Sequence, residues 1–463
     1  MTLQEKVAGI VGAKRALYGE PALDEYALDE SDCAPHRPDV VALLESEDEL
    51  IELLKLSALD GIPITPRGTG TGKAGGSIPL AGGIVVSCER MNGLIDIDER
   101  NLIARVQPGI VTGSLQTAVE SVGLFYPPDP ASLESCSLGG NVATNAGGPR
   151  AFKYGVTREY VLGLNLGLIG GEVLSLGRQT IKGVTGLDTV ALVVGSEGIL
   201  GVASEVVVKL LPLPRSVAAF VARFADEATA VDAVGNIIAA GHRPRTMELL
   251  DRRVVEILGR DGSWPRLSAP SASPSALLLV ELDGHDSGVE DALLSTAKVC
   301  EAARAEEIII ATDENQRRRF WQMRREVSRV LKRYHPQKVS EDIVVPPAAM
   351  AEMYRRLDQA ACEFGVAIAA YGHAGDGNLH VNILAEASLA AADLQKLRRS
   401  ILENAVNLGG CLSGEHGIGI SKLPFVGLEH GQSALAVQRS IKKAFDPMGL
   451  MNPGKVLPPG QQT

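Results

Sequence analysis

Two short segments in the C-terminal part of the chain combine residue types that bind metals and move protons. One reads Tyr-Gly-His-Ala-Gly-Asp-Gly-Asn-Leu-His-Val-Asn and contains His373 and His380. The other reads Ser-Gly-Glu-His-Gly and contains Glu415 and His416. Two imidazoles and one carboxylate can hold a divalent metal while leaving coordination positions open for a substrate. The segments therefore predict a catalytic metal site formed by His373, His380 and Glu415, with a base beside it.

The spacing of the two histidines requires an interruption in regular structure. His373 and His380 are seven residues apart, which would place them on opposite faces of an unbroken strand. Gly375 and Gly377 lie between them and permit a bulge or positive φ, so we expect the two imidazoles to converge. The helical His-Glu-x-x-His motif of zinc peptidases is absent, which argues against that chemistry.

Composition limits the class of protein. The 463 residues include 45% hydrophobic residues, enough for two or more packed domains, and the net charge of −11 argues against a nucleic-acid-binding face. No apolar run of about 18 residues occurs, and the first residues lack a signal-peptide pattern. We expect a cytoplasmic protein, with attachment to the inner membrane through a partner as the alternative.

The six cysteines are scattered without a Cys-x-x-Cys pair, which excludes the ligand spacing of an iron–sulfur cluster or a zinc ribbon. Any redox chemistry would then need a bound organic cofactor. Its electrons would leave for an external acceptor.

The first half of the chain alternates strands and helices. A strand over 39–44, a helix opened by a capping box of Ser46 and Glu49, and a strand over 62–65 predict a β-α-β unit. It leads into residues 66–76, Pro-Arg-Gly-Thr-Gly-Thr-Gly-Lys-Ala-Gly-Gly, whose amides can approach a ligand closely.

Two more segments of small residues follow, at 137–148 and 195–201. A phosphate-binding P-loop is excluded because Arg67 and Ala74 occupy positions that need Gly and Ser or Thr. The Rossmann fingerprint also matches poorly, since the glycines of the first segment recur every second residue. The three segments together predict one extended cofactor.

A second α+β pattern begins after Pro212 and Pro214, with a helix over 313–332 and a strand over 338–345. The predicted domains are a cofactor-binding domain, a substrate or cap domain carrying the metal site, and a C-terminal segment that packs back on the first domain: 1–212, 213–425 and 426–463.

The ordered set of motifs resembles the FAD-linked D-2-hydroxyacid dehydrogenases of the vanillyl-alcohol-oxidase superfamily, which include the flavin subunit of glycolate oxidase and enzymes acting on D-lactate and D-2-hydroxyglutarate. The motifs carrying the resemblance are 66–76, 127–148, 195–201, 371–382, 413–417 and 452–455. The resemblance implies an α+β fold, with a two-part FAD-binding domain of the vanillyl-alcohol-oxidase (PCMH) type and a ferredoxin-like α+β substrate domain.

The resemblance also assigns residues to FAD binding: Pro66, Arg67, Gly68, Thr69, Gly70, Thr71, Gly72, Pro128, Ser132, Gly139, Gly140, Asn141, Thr144, Gly148, Glu197, Gly198, Ile199 and Asn452. Members that attach FAD covalently in the first segment use a histidine there, whereas this chain has threonines, so non-covalent FAD is implied. Leu187 departs from the family because relatives often carry an aromatic residue at that position.

The family mechanism implies a role for each remaining site residue. A 2-hydroxy acid would chelate the metal, which is zinc, manganese, iron or cobalt, and His416 would accept the hydroxyl proton as general base. Arg324 would bind the substrate carboxylate, while Asn382, Ser328 and Lys338 would contact or orient the substrate. Hydride transfer to FAD would then give the 2-oxo acid.

Three alternatives stay open at this point. A metal-free aryl-alcohol oxidase of the same superfamily needs an aromatic cavity, yet aromatic residues form only 4% of the chain. A non-catalytic electron-relay subunit would need no histidine cluster. A metal-dependent hydrolase would bind no flavin. The acceptor could be an electron-transfer flavoprotein, a cytochrome, a quinone-linked chain or an iron–sulfur subunit, and a homodimer is the default expectation.

Overall fold

The computed structural model describes residues 1–262, 275–385 and 389–460. The chain divides into two compact units, each built from more than one stretch of sequence. The first unit contains Met1–Gly147, Val156–Leu213 and Glu415–Thr463, and the second contains Gly148–Gly155 and Pro214–Gly414.

Elements up to residue 213 are, in chain order, α1 (Leu3–Val11), β1 (Ala16–Leu17), α2 (Glu20–Glu25), β2 (Val40–Leu43), α3 (Glu47–Asp60), β3 (Ile64–Arg67), β4 (Ile84–Ser87), β5 (Leu94–Asp98), β6 (Ile103–Val106), α4 (Thr112–Glu120), β7 (Leu124–Phe125), α5 (Leu138–Thr144), α6 (Ala151–Tyr154), a 3₁₀ turn (Thr157–Glu159), β8 (Val161–Gly167), β9 (Val173–Gly177), α7 (Thr189–Val193), β10 (Val202–Lys209) and β11 (Leu211–Pro212).

The remaining elements are β12 (Ser216–Phe224), α8 (Glu227–Ala239), β13 (Thr246–Leu250), α9 (Arg252–Asp261), β14 (Ala276–Gly284), α10 (Asp286–Ala302), β15 (Glu307–Ile310), α11 (Glu314–Tyr334), β16 (Val339–Val344), a 3₁₀ turn (Pro347–Ala349), α12 (Met350–Phe364), β17 (Ala367–His373), β18 (Asn378–Leu384), α13 (Ala391–Asn407), a 3₁₀ turn (Leu423–Leu428) and α14 (Gln432–Phe445).

The first unit is organised around two sheets. One has the strand order β1-β2-β4-β3, in which β4 pairs in parallel with both β2 and β3. The other is antiparallel, with the order β5-β6-β10-β8-β9. β2, α3 and β3 follow one another along the chain, and both strands pair in parallel with β4. The predicted β-α-β unit is therefore confirmed.

The helix of this unit begins at the predicted residue. Ser46 Oγ accepts the Glu49 N–H, as an N-cap does. The Glu49 carboxylate also accepts the Glu45 N–H at 2.9 Å and bonds Arg15. Gly61 ends the helix with φ 67°, a left-handed conformation that glycine adopts without strain.

The second unit is built on an antiparallel sheet of seven strands within the described residues, in the order β15-β12-β14-β13-β17-β18-β16. One face carries an apolar cluster in which α9 and α11 pack on residues such as Leu250, Leu279 and Tyr371. Helices α8 and α10 contact β12 and β14, while α12 contacts β17. Side chains two residues apart on a strand point to the same face of the sheet. A row of polar side chains can therefore lie on the same face as the apolar cluster.

The unit boundaries differ from the predicted domain ranges at two places, and hydrogen bonds give the reason. Residues after Gly414 belong to the first unit, where the Ile420 N–H donates to the Ala74 carbonyl at 2.8 Å. The short stretch 148–155 belongs to the second unit, because Lys153 and Tyr154 both bond the buried carboxylate of Asp283. No sequence feature indicates that residues 148–155 belong to the second unit.

None of the helices formed by the described residues has the length and apolar character required to cross a bilayer.

Candidate active site

The first unit contains a pocket whose walls come mainly from the three segments of small residues. Residues 66–74, 139–144 and 196–198 line it. The sequence prediction that these segments serve one extended ligand is therefore consistent with the pocket.

Glycine is required where the pocket segments approach one another. A Cβ on Gly68 would lie 2.1 Å from Ser137 Oγ, and one on Gly139 would lie 2.7 Å from Pro108 Cβ. Gly70 has φ +76°, which side chains rarely adopt. The segments thus present backbone rather than side chains to the pocket.

An unsatisfied polar atom supports a phosphate-bearing ligand in this pocket. Thr69 Oγ1 is buried and has no hydrogen-bond partner among the described residues. A buried hydroxyl costs free energy unless it is paired, and a phosphate oxygen would accept its hydrogen. The pocket therefore fits a dinucleotide such as FAD.

Glu197 organises the pocket in a way that the sequence did not predict. It has φ 52°, and its carboxylate accepts the N–H groups of Ile418 at 2.7 Å and Gly419 at 2.8 Å. Asn452 donates to the carbonyls of Glu197 and Gly76 at 2.8 and 3.1 Å. Both residues were predicted to contact FAD, and these bonds also tie chain segments to one another.

Burial perturbs two ionisable groups of this network. It raises the pKa of Glu197, although the two N–H donors oppose that shift. It lowers the pKa of Lys455 to about 7, against the opposing effects of Asp29 and Glu197. Lys455 Nζ donates to Gly76 O at 2.9 Å, so a group with a perturbed pKa contacts a residue of the pocket wall.

Most residues predicted to bind FAD line this pocket. Those found there are Pro66, Arg67, Gly68, Thr69, Gly70, Thr71, Gly72, Ser132, Gly139, Gly140, Asn141, Thr144, Glu197 and Gly198. Those outside its lining are Pro128, Gly148, Ile199 and Asn452. Leu187 also lies outside the lining and is 90% exposed, so its departure from the family pattern does not alter this pocket.

The predicted base and the predicted carboxylate ligand line the same pocket. Glu415 and His416 are partly buried there, and they follow the second unit's last residue, Gly414, directly in sequence. Gly147 leaves room for the carboxylate, because a Cβ there would lie 3.1 Å from Glu415 Oε2. An imidazole and a carboxylate are therefore available at the cofactor pocket.

The two predicted histidine ligands lie in the second unit and converge through strand pairing. His380 on β18 is paired with Tyr371 on β17, and His373 follows Tyr371 by two residues. Since paired residues and residues two apart share a face, both imidazoles point to the same side, with ring centroids 5.3 Å apart. The register of this hairpin is unbroken, so no bulge is present, whereas Gly377 in the turn between the strands has the expected positive φ, at 82°.

Each imidazole has a buried carboxylate on its Nδ1 side. Glu248 Oε1 lies 2.5 Å from His373 Nδ1, and Asp342 Oδ1 lies 3.6 Å from His380 Nδ1. Register explains this, since Glu248 pairs with His373 and Asp342 pairs with His380 across the sheet. A hydrogen bond of the kind between Glu248 and His373 commonly orients an imidazole that binds a metal, whereas the 3.6 Å between Asp342 and His380 exceeds hydrogen-bond distance.

Arg324 reaches the same cluster from α11. It is buried, its Nε donates to Glu248 Oε2 at 2.5 Å, and its guanidinium lies 4.6 Å from the centre of the Tyr371 ring. A buried arginine at this position is not part of a solvated helix face. The neighbouring Arg325 is exposed, so only one of the two adjacent arginines points into the sheet face.

The other predicted substrate contacts differ in their surroundings. Asn382 is buried and accepts from Lys338 Nζ at 2.9 Å, while its amide donates to the carbonyls of His380 and Ala369. Lys338 is half-buried and also bonds Ser340 at 2.7 Å. Ser328 is exposed on α11.

Sequence reasoning missed Glu248 and Asp342, which lie far along the chain from the histidine motifs. Asp342 also accepts the Gly414 N–H at 2.8 Å and the Ser413 hydroxyl at 3.0 Å, so it anchors the loop that precedes Glu415. A Glu within Thr-Met-Glu-Leu-Leu is the available signal, because a charged residue inside an apolar strand needs a buried partner.

Two protein families match the chain over most of its length. The family described as FAD linked oxidases, C-terminal domain, matches residues 213–456, and the family described as FAD binding domain matches residues 38–177. The first match covers more than half of the chain. The second contains the first two of the three pocket-lining segments.

Three curated relatives match nearly the whole chain. The glycolate oxidase subunit GlcD of Bacillus subtilis (strain 168) is 36% identical over 93% of this chain and 91% of its own. D-lactate dehydrogenase of Archaeoglobus fulgidus is 35% identical, with 94% and 96% covered. D-2-hydroxyglutarate dehydrogenase of Xanthomonas citri pv. viticola is 32% identical, with 98% and 96% covered.

Solved structures with lower identity show the same fold. Alkyldihydroxyacetonephosphate synthase superposes with a TM-score of 0.78 at 19% identity, over 98% of this chain and 85% of that one. p-Cresol methylhydroxylase superposes with a TM-score of 0.80 at 15% identity, over 98% and 95%. The predicted α+β fold of the vanillyl-alcohol-oxidase type is thus confirmed. The chain belongs to the family of FAD-linked oxidases, as an FAD-dependent oxidoreductase of the glycolate oxidase subunit, D-lactate and D-2-hydroxyglutarate dehydrogenase type.

Proposed function

We propose that this chain is an FAD- and divalent-metal-dependent dehydrogenase that oxidises a D-2-hydroxy acid to the 2-oxo acid and passes the electrons to an external acceptor. The observation that carries the proposal is the charged sheet face of the second unit, where His373, His380 and Arg324 share one surface. Flavin binding alone would need none of these side chains. Their chemistry suits a small anionic substrate.

The metal would be held by His373, His380 and Glu415. Two imidazoles with carboxylates at Nδ1 have the donor chemistry that zinc, manganese, iron or cobalt accept. A bound metal would supply Lewis acidity to the substrate hydroxyl, and bound FAD would accept the hydride from C2.

The chain's own residues would bind the substrate and move its proton. Arg324 would pair with the substrate carboxylate, while Lys338 and Asn382 would add polar contacts on the same sheet face. His416 would accept the hydroxyl proton at a ring nitrogen, since a neutral imidazole is a suitable base near neutral pH. Proton and hydride would leave separately, and the C2 hydroxyl would become a carbonyl.

Several features extend the proposal. The relatives named as glycolate oxidase subunits support a partner that receives the electrons. Non-covalent FAD is proposed because threonines occupy the first pocket segment. Glycolate, D-lactate and D-2-hydroxyglutarate are the substrate candidates. A cytoplasmic location and a homodimer stay predictions.

The charged sheet face argues against the alternative functions. An aryl-alcohol oxidase has no use for a buried arginine and two histidines backed by carboxylates. An electron-relay subunit would likewise need no group that binds an acid. A hydrolase would leave the small-residue pocket without a purpose.

The test is anaerobic reduction of the bound flavin, followed by its absorbance, with D- and L-2-hydroxy acids and with vanillyl alcohol as control. We expect bleaching by one or more D-acids and its loss after prior chelation of metal. Bleaching that resists chelation would remove the metal from the proposal. A yellow protein that only the aromatic alcohol reduces would replace the proposal with the alternative oxidase.

A further inference from the structure

Glu248 holds two functional groups with one carboxylate. Its Oε1 lies 2.5 Å from His373 Nδ1 and its Oε2 accepts Arg324 Nε–H at 2.5 Å. The side chain is fully buried in the middle of β13. A buried carboxylate is costly unless it is paired, so its two oxygens are committed to these two partners.

The contact with His373 decides which nitrogen can bind a metal. An ionised carboxylate is only a hydrogen-bond acceptor, so Nδ1 of His373 must carry the hydrogen. The lone pair of a neutral imidazole is then on Nε2. Register keeps this arrangement in place, because Glu248 and His373 are paired residues on neighbouring strands.

The contact with Arg324 fixes the other functional group. The carboxylate accepts a hydrogen bond from Nε, the guanidinium nitrogen nearest the aliphatic stem. The centre of the Tyr371 ring lies 4.6 Å from the guanidinium carbon. These two contacts limit the rotation of a long side chain. A fixed guanidinium loses less entropy when it binds a carboxylate.

We propose that Glu248 is a positioning residue that sets both the tautomer of His373 and the orientation of Arg324, so that metal affinity and recognition of the substrate carboxylate depend on the same side chain. This inference rests on the proposed function. Glutamine at this position offers one acceptor oxygen for two donors. Arg324 Nε–H can only donate and therefore takes that oxygen, which leaves the amide N–H groups facing His373 Nδ1 and favours the tautomer protonated at Nε2.

A second buried carboxylate of the same sheet provides the matched control. Glu281 on β14 accepts Trp321 Nε1–H at 2.7 Å, so it also ties α11 to the sheet, and Arg245 Nε lies 3.4 Å away. Its hydrogen bond is with Trp321, whereas the hydrogen bonds of Arg324 Nε and His373 Nδ1 are with Glu248. A purely structural role would therefore be shared by Glu248 and Glu281.

The experiment compares Glu248→Gln with Glu281→Gln in the full-length, FAD-loaded protein. Zinc and manganese affinities are measured by competition with a chromogenic chelator, and the KM for the best 2-hydroxy acid is measured separately. We expect Glu248→Gln to weaken metal binding about 10–100-fold and to raise KM, while Glu281→Gln changes metal affinity by less than about threefold. Glu248→Asp, which keeps a carboxylate, should fall between wild type and Gln.

Histidine labelling gives a readout that does not depend on activity. In metal-free protein with ¹⁵N-labelled histidine, the His373 signal, assigned by its loss in His373→Asn, should report the Nδ1–H tautomer in wild type and a different population in Glu248→Gln. This measurement and the Glu248→Asp variant decide the question if Glu248→Gln folds poorly. Wild-type metal affinity in Glu248→Gln, or an unchanged tautomer, would overturn the inference. A wild type that binds neither metal would instead overturn the metal in the proposed function and the inference with it.

Discussion

The cofactor pocket of the first unit and the charged sheet face of the second unit each contain a buried glutamate, and the two are stabilised by opposite means. Glu197 is held by the backbone N–H groups of Ile418 and Gly419. Glu248 is held by the side chains of Arg324 and His373. A site made of backbone depends on the absence of side chains, whereas a site made of side chains depends on their identity and on strand register.

The difference predicts how each region responds to mutation. The pocket should tolerate polar substitutions at its edges but fail when a Cβ enters the contacts between its segments. The sheet face should fail when a single functional group is exchanged, even for one of similar size.

His416→Asn should give the largest effect on turnover. Asparagine has no basic nitrogen, so we expect kcat to fall about 10²–10⁴-fold, the usual contribution of a general base. Flavin content should be unchanged, because removing this side chain leaves the small-residue walls intact. Steady-state kinetics and the flavin-to-protein ratio measure both quantities. His36→Asn is the control, since His36 is exposed. A decrease of less than about tenfold in kcat would exclude His416 as the base.

Arg324→Lys should weaken substrate binding next most strongly. Lysine cannot form the same pair of contacts, and a hydrogen bond to a charged group contributes about 1.5–3 kcal/mol, so we expect kcat/KM to fall by about 10–150-fold. The matched control is Arg325→Lys, because Arg325 is the exposed neighbour on the same helix. Equal effects of the two substitutions would show that charge density on α11, rather than the buried guanidinium, matters.

Gly139→Ala should damage the pocket of the first unit. The new Cβ would meet Pro108 Cβ at 2.7 Å and Pro108 O at 2.9 Å, so α5 must shift. Overpacking of this kind costs about 1–3 kcal/mol, which corresponds to a loss of about 5–150-fold in FAD affinity if the strain falls on the bound state. Titration of apoprotein with FAD measures it. Gly235→Ala, on an open surface of α8, should leave FAD affinity unchanged. Full FAD affinity in Gly139→Ala would show that the pocket accommodates side chains after all.

Glu197→Gln should give the smallest effect, seen in the pH dependence of stability. Burial raises the pKa of Glu197 above the ordinary value of about 4.3, so between these values the native state binds more protons than the unfolded state. The contribution of Glu197 to the free energy of unfolding is therefore largest at low pH and decreases as pH rises through this window. Glutamine does not titrate.

The measurement is the difference between the wild-type and Glu197→Gln free energies of unfolding as a function of pH, obtained from urea denaturation. We expect the advantage of wild type to shrink as pH increases above about 4.3. An advantage that grows with pH would mean that the N–H donors of Ile418 and Gly419 outweigh burial and depress the pKa.

Much of the first unit was predictable because its signals are local. The β-α-β unit follows from a capping serine and a terminating glycine, and the pocket segments follow from runs of glycine. The helix α5 was less apparent, because Leu138–Thr144 contains two glycines that lower helix propensity. Ser137 caps it, and Asn145 ends it in a left-handed conformation.

The metal-binding residue types were predictable, but their surroundings were not. His373 and His380 were identified from the sequence motif, and the mechanism expected for their convergence was a bulge or a positive φ at the glycines between them. The hairpin register places them together, since the residue pairs are set by long-range strand contacts.

The sequence by itself determined the chemical inventory of this protein: glycine-rich segments for a dinucleotide, and two histidines, a glutamate and an arginine for an acid. Residue type and local spacing carry that information because they act within a few residues. Only the tertiary structure decided that Glu248 lies behind His373 and accepts Arg324, and that the carboxylate of Glu197 binds the loop after His416. Those contacts join positions up to 222 residues apart, and the register of a folded sheet and the closure of long loops set them.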